Sequence, residues 1–565
     1  MLEIHLRYVR SFLEDAARKV PPELGIDFED VLRKISSVPI DANASPRAAS
    51  VPSAGVDAGT AGSPTDNLSR LSHPDCLKSI VELLDDGPPG QSYDAVNELF
   101  DRPLANAPKA ATSPLPPKTE ALVLINSLFS TQHPLLAFLH EQYFRDTVDL
   151  VYNAESRDEA IDRFLPMLHI ALALGYLFSK QTHREEGCEI AQQKSMQHFM
   201  TGRSMLQPLR VHSMMALQTL LCAVVWLIST GRVVQAHPLI GLSASLALRL
   251  GLHRRHTGLP MEETMLHAKV MVSILQADMF VSMLLELPGF LQNVEYESVS
   301  LDEVQAKAAQ DKDKRVTASL QHYSLLKLCR TKQTDVEALL ADQIALMRVR
   351  KDGNAPLPRR PGGNPDDQRI QLQMEIMLNL AFLHVARTSL LDILHSSEHQ
   401  ESHEAFNHTV MALGLASDTI KRVQIALRMK ILCPADWSIM YTLLISVVYI
   451  IALHSHNEQA VPSDEAHQQV VLAIELLAAC RCCDGGATRA LHVVKLVLQR
   501  SSLRHIDIND IVSRTSRICD AEPQTPPLNA NLTRQDDIMA LLNTRRHESF
   551  ASSTTSKSRS PSATT

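Results

Sequence analysis

Aromatic residues are scarce in this chain, 4% of 565 residues with only two tryptophans, and excess positive charge is missing altogether. With few aromatics, Leu and Ala must build the core. Apolar residues recur at three- and four-residue spacing rather than in alternation, which predicts helices over sheets. A formal net charge of −8 excludes a surface whose main task is to hold a phosphate backbone, because that needs clustered Lys and Arg. The close-set cysteines, Cys480, Cys482 and Cys483, fall in one helical stretch rather than as separate C-x-x-C pairs, so buried thiols are expected there instead of a metal site. With nine cysteines and no secretory pattern in the first residues, the sequence predicts a reducing compartment. Catalytic motifs are also missing: no phosphate-cradling Gly-rich loop, no Gly-flanked nucleophile elbow and no H-E-x-x-H, so no enzyme is expected. His454 and His456 read as a polar helix end, and the acidic pairs Asp85-Asp86 and Asp366-Asp367 as loop residues beside Pro and Gly.

What is present is a hydrophobic fraction of 45%, enough for a large core, distributed unevenly. The fold class is all-α. Residues 1–36 carry an amphipathic pattern with Leu2, Leu6, Val9, Leu13 and Ala17 on one face, stopped by Pro21 and Pro22. Residues 37–114 are rich in Pro, Ala, Ser, Gly and Asp and read as a disordered linker, with room for short helices near Cys76–Leu84 and Tyr93–Phe100. Dense helical periodicity over 115–505 marks one large domain, broken by a polar stretch at Gln305–Arg315 and a Pro/Gly-rich loop at 348–369. Residues 506–565 read as a mostly disordered tail. Two apolar runs, Val211–Gly231 and Trp437–Leu453, approach membrane-span length; their polar content or shortness makes them buried core helices, and no membrane is expected.

One helix has legible ends. Pro238 suits a first turn, Arg249 a last turn, and Gly251 a left-handed position just beyond, with Leu252 folding back onto Leu246 or Ala247. The order Gly241, small residues, Ala247, Leu250-Gly251-Leu252-His253-Arg254 resembles the signature of the regulatory domain of fungal zinc-cluster transcription factors. Around it, Lys118–Tyr152, with His133-Pro134 and His140-Glu141, looks like that domain's opening, and Phe164–Ser179 and Met214–Gly231 fit its next helices. Asp278, Ser282 and Pro288 resemble its Asp to Leu-Gly-Leu-Pro segment, and Met374–Leu394 and Ala435–Leu453 its later helices. Several positions depart from the pattern: Ser245 where Arg is frequent, Met271-Val272 in place of an aromatic pair, Leu275 for Tyr, and Glu286 for Gly.

The resemblance implies a nuclear regulator of RNA polymerase II transcription, acting through homodimers or heterodimers within the family and through coregulators. The family's six-cysteine zinc cluster is not among these residues. Zinc is therefore expected only in a cluster outside them, with no cofactor in this chain and DNA reached through a missing or a partner's cluster. Tyr8, Val9 and Leu13 resemble the segment that follows the cluster and leads into dimerisation. Ile538, Leu541 and Leu542, in the acidic-hydrophobic stretch QDDIMALL, are the candidate coregulator contact. An alternative reading is a cluster-less helical partner or inhibitor of a family member, or a small-molecule sensor.

Overall fold

The computed structural model describes residues 72–519 apart from connecting segments, the longest being 330–363. Tyr8, Val9, Leu13, Ile538, Leu541 and Leu542 lie outside the described residues. Among the described residues there are seventeen α-helices and no strand: α1 (His73–Leu83), α2 (Asp94–Phe100), α3 (Lys118–Ser130), α4 (Glu141–Asn153), α5 (Glu159–Phe178), α6 (Glu185–Met205), α7 (Met214–Ser229), α8 (Val233–Arg249), α9 (Met261–Leu285), α10 (Leu301–Gln310), α11 (Lys314–Cys329), α12 (Pro365–His395), α13 (His403–Arg428), α14 (Trp437–His456), α15 (Ser463–Ala479), α16 (Gly486–Gln499) and α17 (Ile508–Cys519). A 3-10 turn spans Pro134–Leu136.

The helix starts follow ordinary capping chemistry. Ser72, Asp158 and Ser213 accept hydrogen bonds from the backbone N–H groups of Asp75, Ile161 and Ala216, filling donors that a first turn leaves open. His133 and His140, singled out in the sequence, do the same with Nδ1, accepting from Leu135 N and Tyr143 N.

Two helices are central. α5 is buried continuously from Phe164 to Phe178 and packs against α3, α6 and α7. α14 is buried from Ile439 to His454 and packs against α12, α13, α15 and α16. The long helices α9 and α12 connect the two groups through α11, and a single apolar core runs through both. Four helices, α5, α9, α12 and α14, are long and apolar enough to cross a membrane by length and composition; their apolar windows are 83–94% buried within the protein.

Several sequence expectations are corrected. The short helices expected near Cys76–Leu84 and Tyr93–Phe100 form as α1 and α2, but they are sunk in the core instead of lying in a disordered linker: Leu77, Ile80, Val81, Val96, Leu99 and Phe100 are all buried. Their apolar residues are too few to stand out against a Pro/Ser/Gly-rich background, yet sufficient once the C-terminal helices supply a surface. The polar stretch at Gln305–Arg315 begins as helix, since Val304 and Ala308 bury one face of α10 against α9 and α11. Asp366 and Asp367 sit in the first turn of α12, where negative charge meets the helix dipole, and not in a loop. The tail expected from residue 506 contributes α17, packed on α15.

Close approach constrains two glycines in opposite ways. A Cβ on Gly175 in α5 would stand 2.6 Å from the Leu124 carbonyl oxygen in α3, so the helices touch backbone to backbone there. A Cβ on Gly414 in α13 would meet nothing within 4 Å. Gly175→Ala should therefore destabilise the protein by roughly 1–3 kcal/mol, whereas Gly414→Ala should stabilise it by roughly 0.5–1 kcal/mol; urea unfolding midpoints of the two variants check the opposite signs.

Candidate functional site

The helices that carry the signature end alike. α7, α8 and α9 each close with a residue in the left-handed conformation: Gly231 (φ 66°), Gly251 (φ 76°) and Glu286 (φ 51°). In each case the next residue's N–H reaches back five positions, Arg232 to Leu227 O at 2.8 Å, Leu252 to Ala247 O at 3.0 Å and Leu287 to Ser282 O at 3.0 Å. This pattern satisfies carbonyls that a helix end otherwise leaves open and turns the chain sharply. Gly251 and Leu252 thus stand as the sequence predicts, with Leu252 buried and Arg249 in the last turn. Pro238 does not: α8 begins at Val233, so the proline is the helix's sixth residue, where the N–H that would bond Val234 O is absent. His253 accepts from Arg254 Nε at 3.2 Å just beyond the turn.

Gly241, Asp278, Ser282 and Pro288 come together although 47 residues separate the first from the last. Asp278 is buried on α9, and its carboxylate accepts from Phe290 N and Leu291 N, each at 3.1 Å, and from Ser282 Oγ at 3.3 Å. These bonds hold the chain after Pro288 folded back along the helix. The Phe290 ring is thereby laid on Gly241, where an added Cβ would be 2.7 Å from it, and against His237 at 4.6 Å between ring centroids. Burial lowers the His237 pKa, opposed by the nearby Asp278 carboxylate. The signature residues form a buckle in which a carboxylate ties a loop and a glycine admits its aromatic.

Glu286, one of the departures from the family pattern, begins a second assembly that the sequence does not announce. A non-glycine residue in the left-handed region is strained by about 1 kcal/mol, and here its side chain pairs with Arg387 of α12, a buried guanidinium. Arg387 Nη1 also sits on the edge of the His384 ring, 2.6 Å from Nδ1 and 2.8 Å from Nε2, and donates to the His384 carbonyl at 2.8 Å. His384 Nδ1 is 2.6 Å from Nε2 of His73 on α1, and His73 Nδ1 is 2.5 Å from the Tyr441 hydroxyl on α14. Trp437 stacks on Tyr441 at 4.7 Å, with Phe100 of α2 edge-on to both. Five polar side chains from four parts of the chain thus form one row inside the core. His73 lies 311 residues from His384, in a segment of linker-like composition, so no local pattern joins them.

Two further buried histidine clusters knit helices together. In the first, His169 and His198 meet at 2.9 Å between Nδ1 atoms, and Tyr176 donates to Glu120 at 2.7 Å beside Lys194. Burial, followed by the neighbouring His169 and Lys194, lowers His198 to about 4. In the second, Gln276 meets His322 Nδ1 at 2.9 Å, and burial, with His133 nearby, lowers His322 to about 3. These neutral histidines act as core polar groups.

The described residues do not fit a zinc site. No group of three His, Cys, Asp or Glu side chains among them is arranged to hold a metal ion. Burial pushes the Cys76 thiol up to about 11 and those of Cys222 and Cys433 to about 12, away from the thiolate that zinc requires. Cys482 and Cys483 lie outside the described residues.

Removing the Asp278 carboxylate leaves two backbone N–H groups without their acceptor. Asp278→Ala should lower stability by roughly 2–4 kcal/mol and open the 287–291 turn to proteolysis, whereas Asp278→Asn, which keeps one acceptor oxygen, should cost about half as much; urea unfolding and limited proteolysis read the two effects.

Comparison with known proteins agrees with this construction. Residues 125–332 match the family model described as fungal specific transcription factor domain. "Activator of stress genes 1" of Saccharomyces cerevisiae is 25% identical over 181 residues, covering 31% of this chain and 19% of that protein. "Activator of stress genes protein 1" of Candida albicans is 26% identical over 208 residues, covering 34% and 21%. A putative transcriptional regulatory protein of Saccharomyces cerevisiae is 24% identical over 149 residues, covering 25% and 20%. The matched stretch spans about a fifth of each relative's length. The matched residues, 125–332, include the buckle and the left-handed helix ends, and over that stretch the chain is similar to the fungal specific transcription factor domain.

Proposed function

We propose that the protein is a fungal transcription regulator that controls RNA polymerase II transcription from the nucleus. The observation that carries this reading is the matched domain itself, whose signature residues are spent on architecture: Gly241, Asp278 and Ser282 hold a turn, and Ala247, Leu250, Gly251 and Leu252 close a helix. A scaffold of this kind presents surfaces and transmits states. The relatives named as activators of stress genes, and the one named as a transcriptional regulator, support the same class of activity.

DNA, on this reading, is held through a six-cysteine zinc cluster contributed by sequence beyond these residues or by a partner chain, since the net charge of −8 gives the chain no general affinity for phosphate. Homodimers or heterodimers within the family, through Tyr8, Val9 and Leu13, and a coregulator contact through Ile538, Leu541 and Leu542 complete the proposal. A cluster-less partner or inhibitor of a family member is the second reading, motivated by the same charge and cysteine pattern.

Fused as the full chain to a heterologous DNA-binding module in yeast, the protein should change transcription of a cognate reporter at least about fivefold. Ile538→Ala with Leu541→Ala and Leu542→Ala should remove at least half of that effect. A fusion that binds the reporter promoter, as chromatin immunoprecipitation reports, yet leaves transcription unchanged contradicts the proposal.

A further inference from the structure

α1 and α2 lie on the rest of the domain as a two-helix strap. α1 lies on α12 and α9, and α2 on α16, with Arg500 donating to Val81 O at 3.3 Å. Helices of 11 and 7 residues are too short to persist alone in water, so the strap keeps its shape only while it is docked. Most of what it buries is apolar. Its innermost polar group is His73, 4% exposed, inserted between Tyr441 and His384 with the two imidazole planes within 5° of parallel.

Counting protons shows how little freedom this junction has. Arg387 only donates, so His384 must offer it an unprotonated nitrogen. Two neutral arrangements fit: His384 Nδ1–H donates to His73 Nε2 and His73 Nδ1–H to the Tyr441 oxygen, leaving His384 Nε2 for Arg387, or the Tyr441 hydroxyl donates to His73 Nδ1 and His73 Nε2–H to His384 Nδ1, which also faces Arg387; in both, Glu286 neutralises Arg387. Both imidazoles are neutral. A further proton makes His73 a donor at both nitrogens, so His384 must accept at Nδ1 and carry its own hydrogen on Nε2. The added positive charge then lies inside the core beside the Arg387 guanidinium, whose carboxylate partner Glu286 is 3.8 Å from His384 Nε2.

We propose that the α1–α2 strap is a latch that detaches when the His73–His384 junction takes up a proton, uncovering the faces of α12, α14 and α16 on which it lies. The charged and titratable groups facing the junction are His384 and Arg387 from α12, Glu286 from the end of α9, Tyr441 from α14, and Asp75 and Cys76 from α1 itself. None of them offers His73 a carboxylate: Glu286 is taken by Arg387, and Asp75 is bonded to Ser72 and Lys78 at the surface. Burial first, then Arg387, hold the docked His73 well below the ordinary imidazole value of 6.5. The sign follows. Above about pH 6.5 docked and detached straps are both largely neutral and pH has little effect; below it only the detached strap gains the proton, so detachment rises by up to about tenfold per pH unit.

Hydrogen exchange of the full chain, corrected for intrinsic rates, tests this at pH 7.5, 6.5 and 5.5. The opening ratio for peptides covering 73–83 and 94–100 should rise no more than about twofold between pH 7.5 and 6.5 and roughly fivefold from pH 6.5 to 5.5, while peptides of α5 hold steady. In His73→Gln, which bears an amide that does not titrate, the rise should vanish. A flat wild-type profile, a rise shared equally by α5, or a rise that survives in His73→Gln overturns the proposal. If His73→Gln does not fold, His384→Gln must likewise flatten the response, and persistence of the rise in that variant overturns it as well.

Discussion

The buried Arg387 guanidinium is paired with the partly exposed Glu286 carboxylate, and this pair links the end of α9 to the C-terminal helices. Glu286 and Arg387 come from different parts of the domain, the end of α9 and the middle of α12, and removing Glu286 leaves the buried Arg387 charge without its carboxylate, at a cost of about 3–5 kcal/mol. The pair is useful because of where α9 stops. Its last turns carry Asp278, which fastens the loop that covers Gly241, and its left-handed end carries Glu286, which reaches across to the C-terminal helices. One helix terminus therefore joins the signature region to the second half of the molecule and, through Arg387 and His384, to the strap at His73.

The three matching ends of α7, α8 and α9 show what this arrangement demands of the chain. Glycine occupies the left-handed position in two of them, where it is conformationally unstrained. At Gly231 there is also no room for more: an added Cβ would fall 2.5 Å from Arg489 and 2.9 Å from the Trp437 indole nitrogen. At the third end the chain has Glu286 instead, accepting backbone strain in exchange for a charge partner to Arg387. This departure from the family pattern has a physical reason that only the fold reveals.

What was legible in the sequence was local. The helical periodicity, the Gly251 turn with Leu252 folding back, and the identity of Trp437–Leu453 as a core helix follow from spacing and capping rules that act within a few residues. The resemblance to a fungal regulatory domain rests largely on residues that bind one another over short or moderate separations, and the family match covers residues 125–332 of it, short of the later helices at Met374–Leu394 and Ala435–Leu453. The docking of α1 and α2 and the existence of α17 escape the sequence for a common reason: these helices are short, carry few apolar residues, and gain their stability from surfaces supplied by distant helices. The row from Glu286 to Tyr441 was invisible because its members are separated by up to hundreds of residues and each, read alone, is an ordinary polar side chain.

Together these features describe a helical scaffold whose two halves and N-terminal strap meet at one polar row. Glu286 and Arg387 are energetically coupled across it and hold the halves together. A double-mutant cycle with Glu286→Gln, Arg387→Met and the combined variant, read by urea unfolding of the full chain, measures this coupling directly. Each single change should be strongly destabilising and the double variant less so than their sum, giving a coupling of roughly 2–3 kcal/mol. Single effects that add to within about 0.5 kcal/mol would contradict the account.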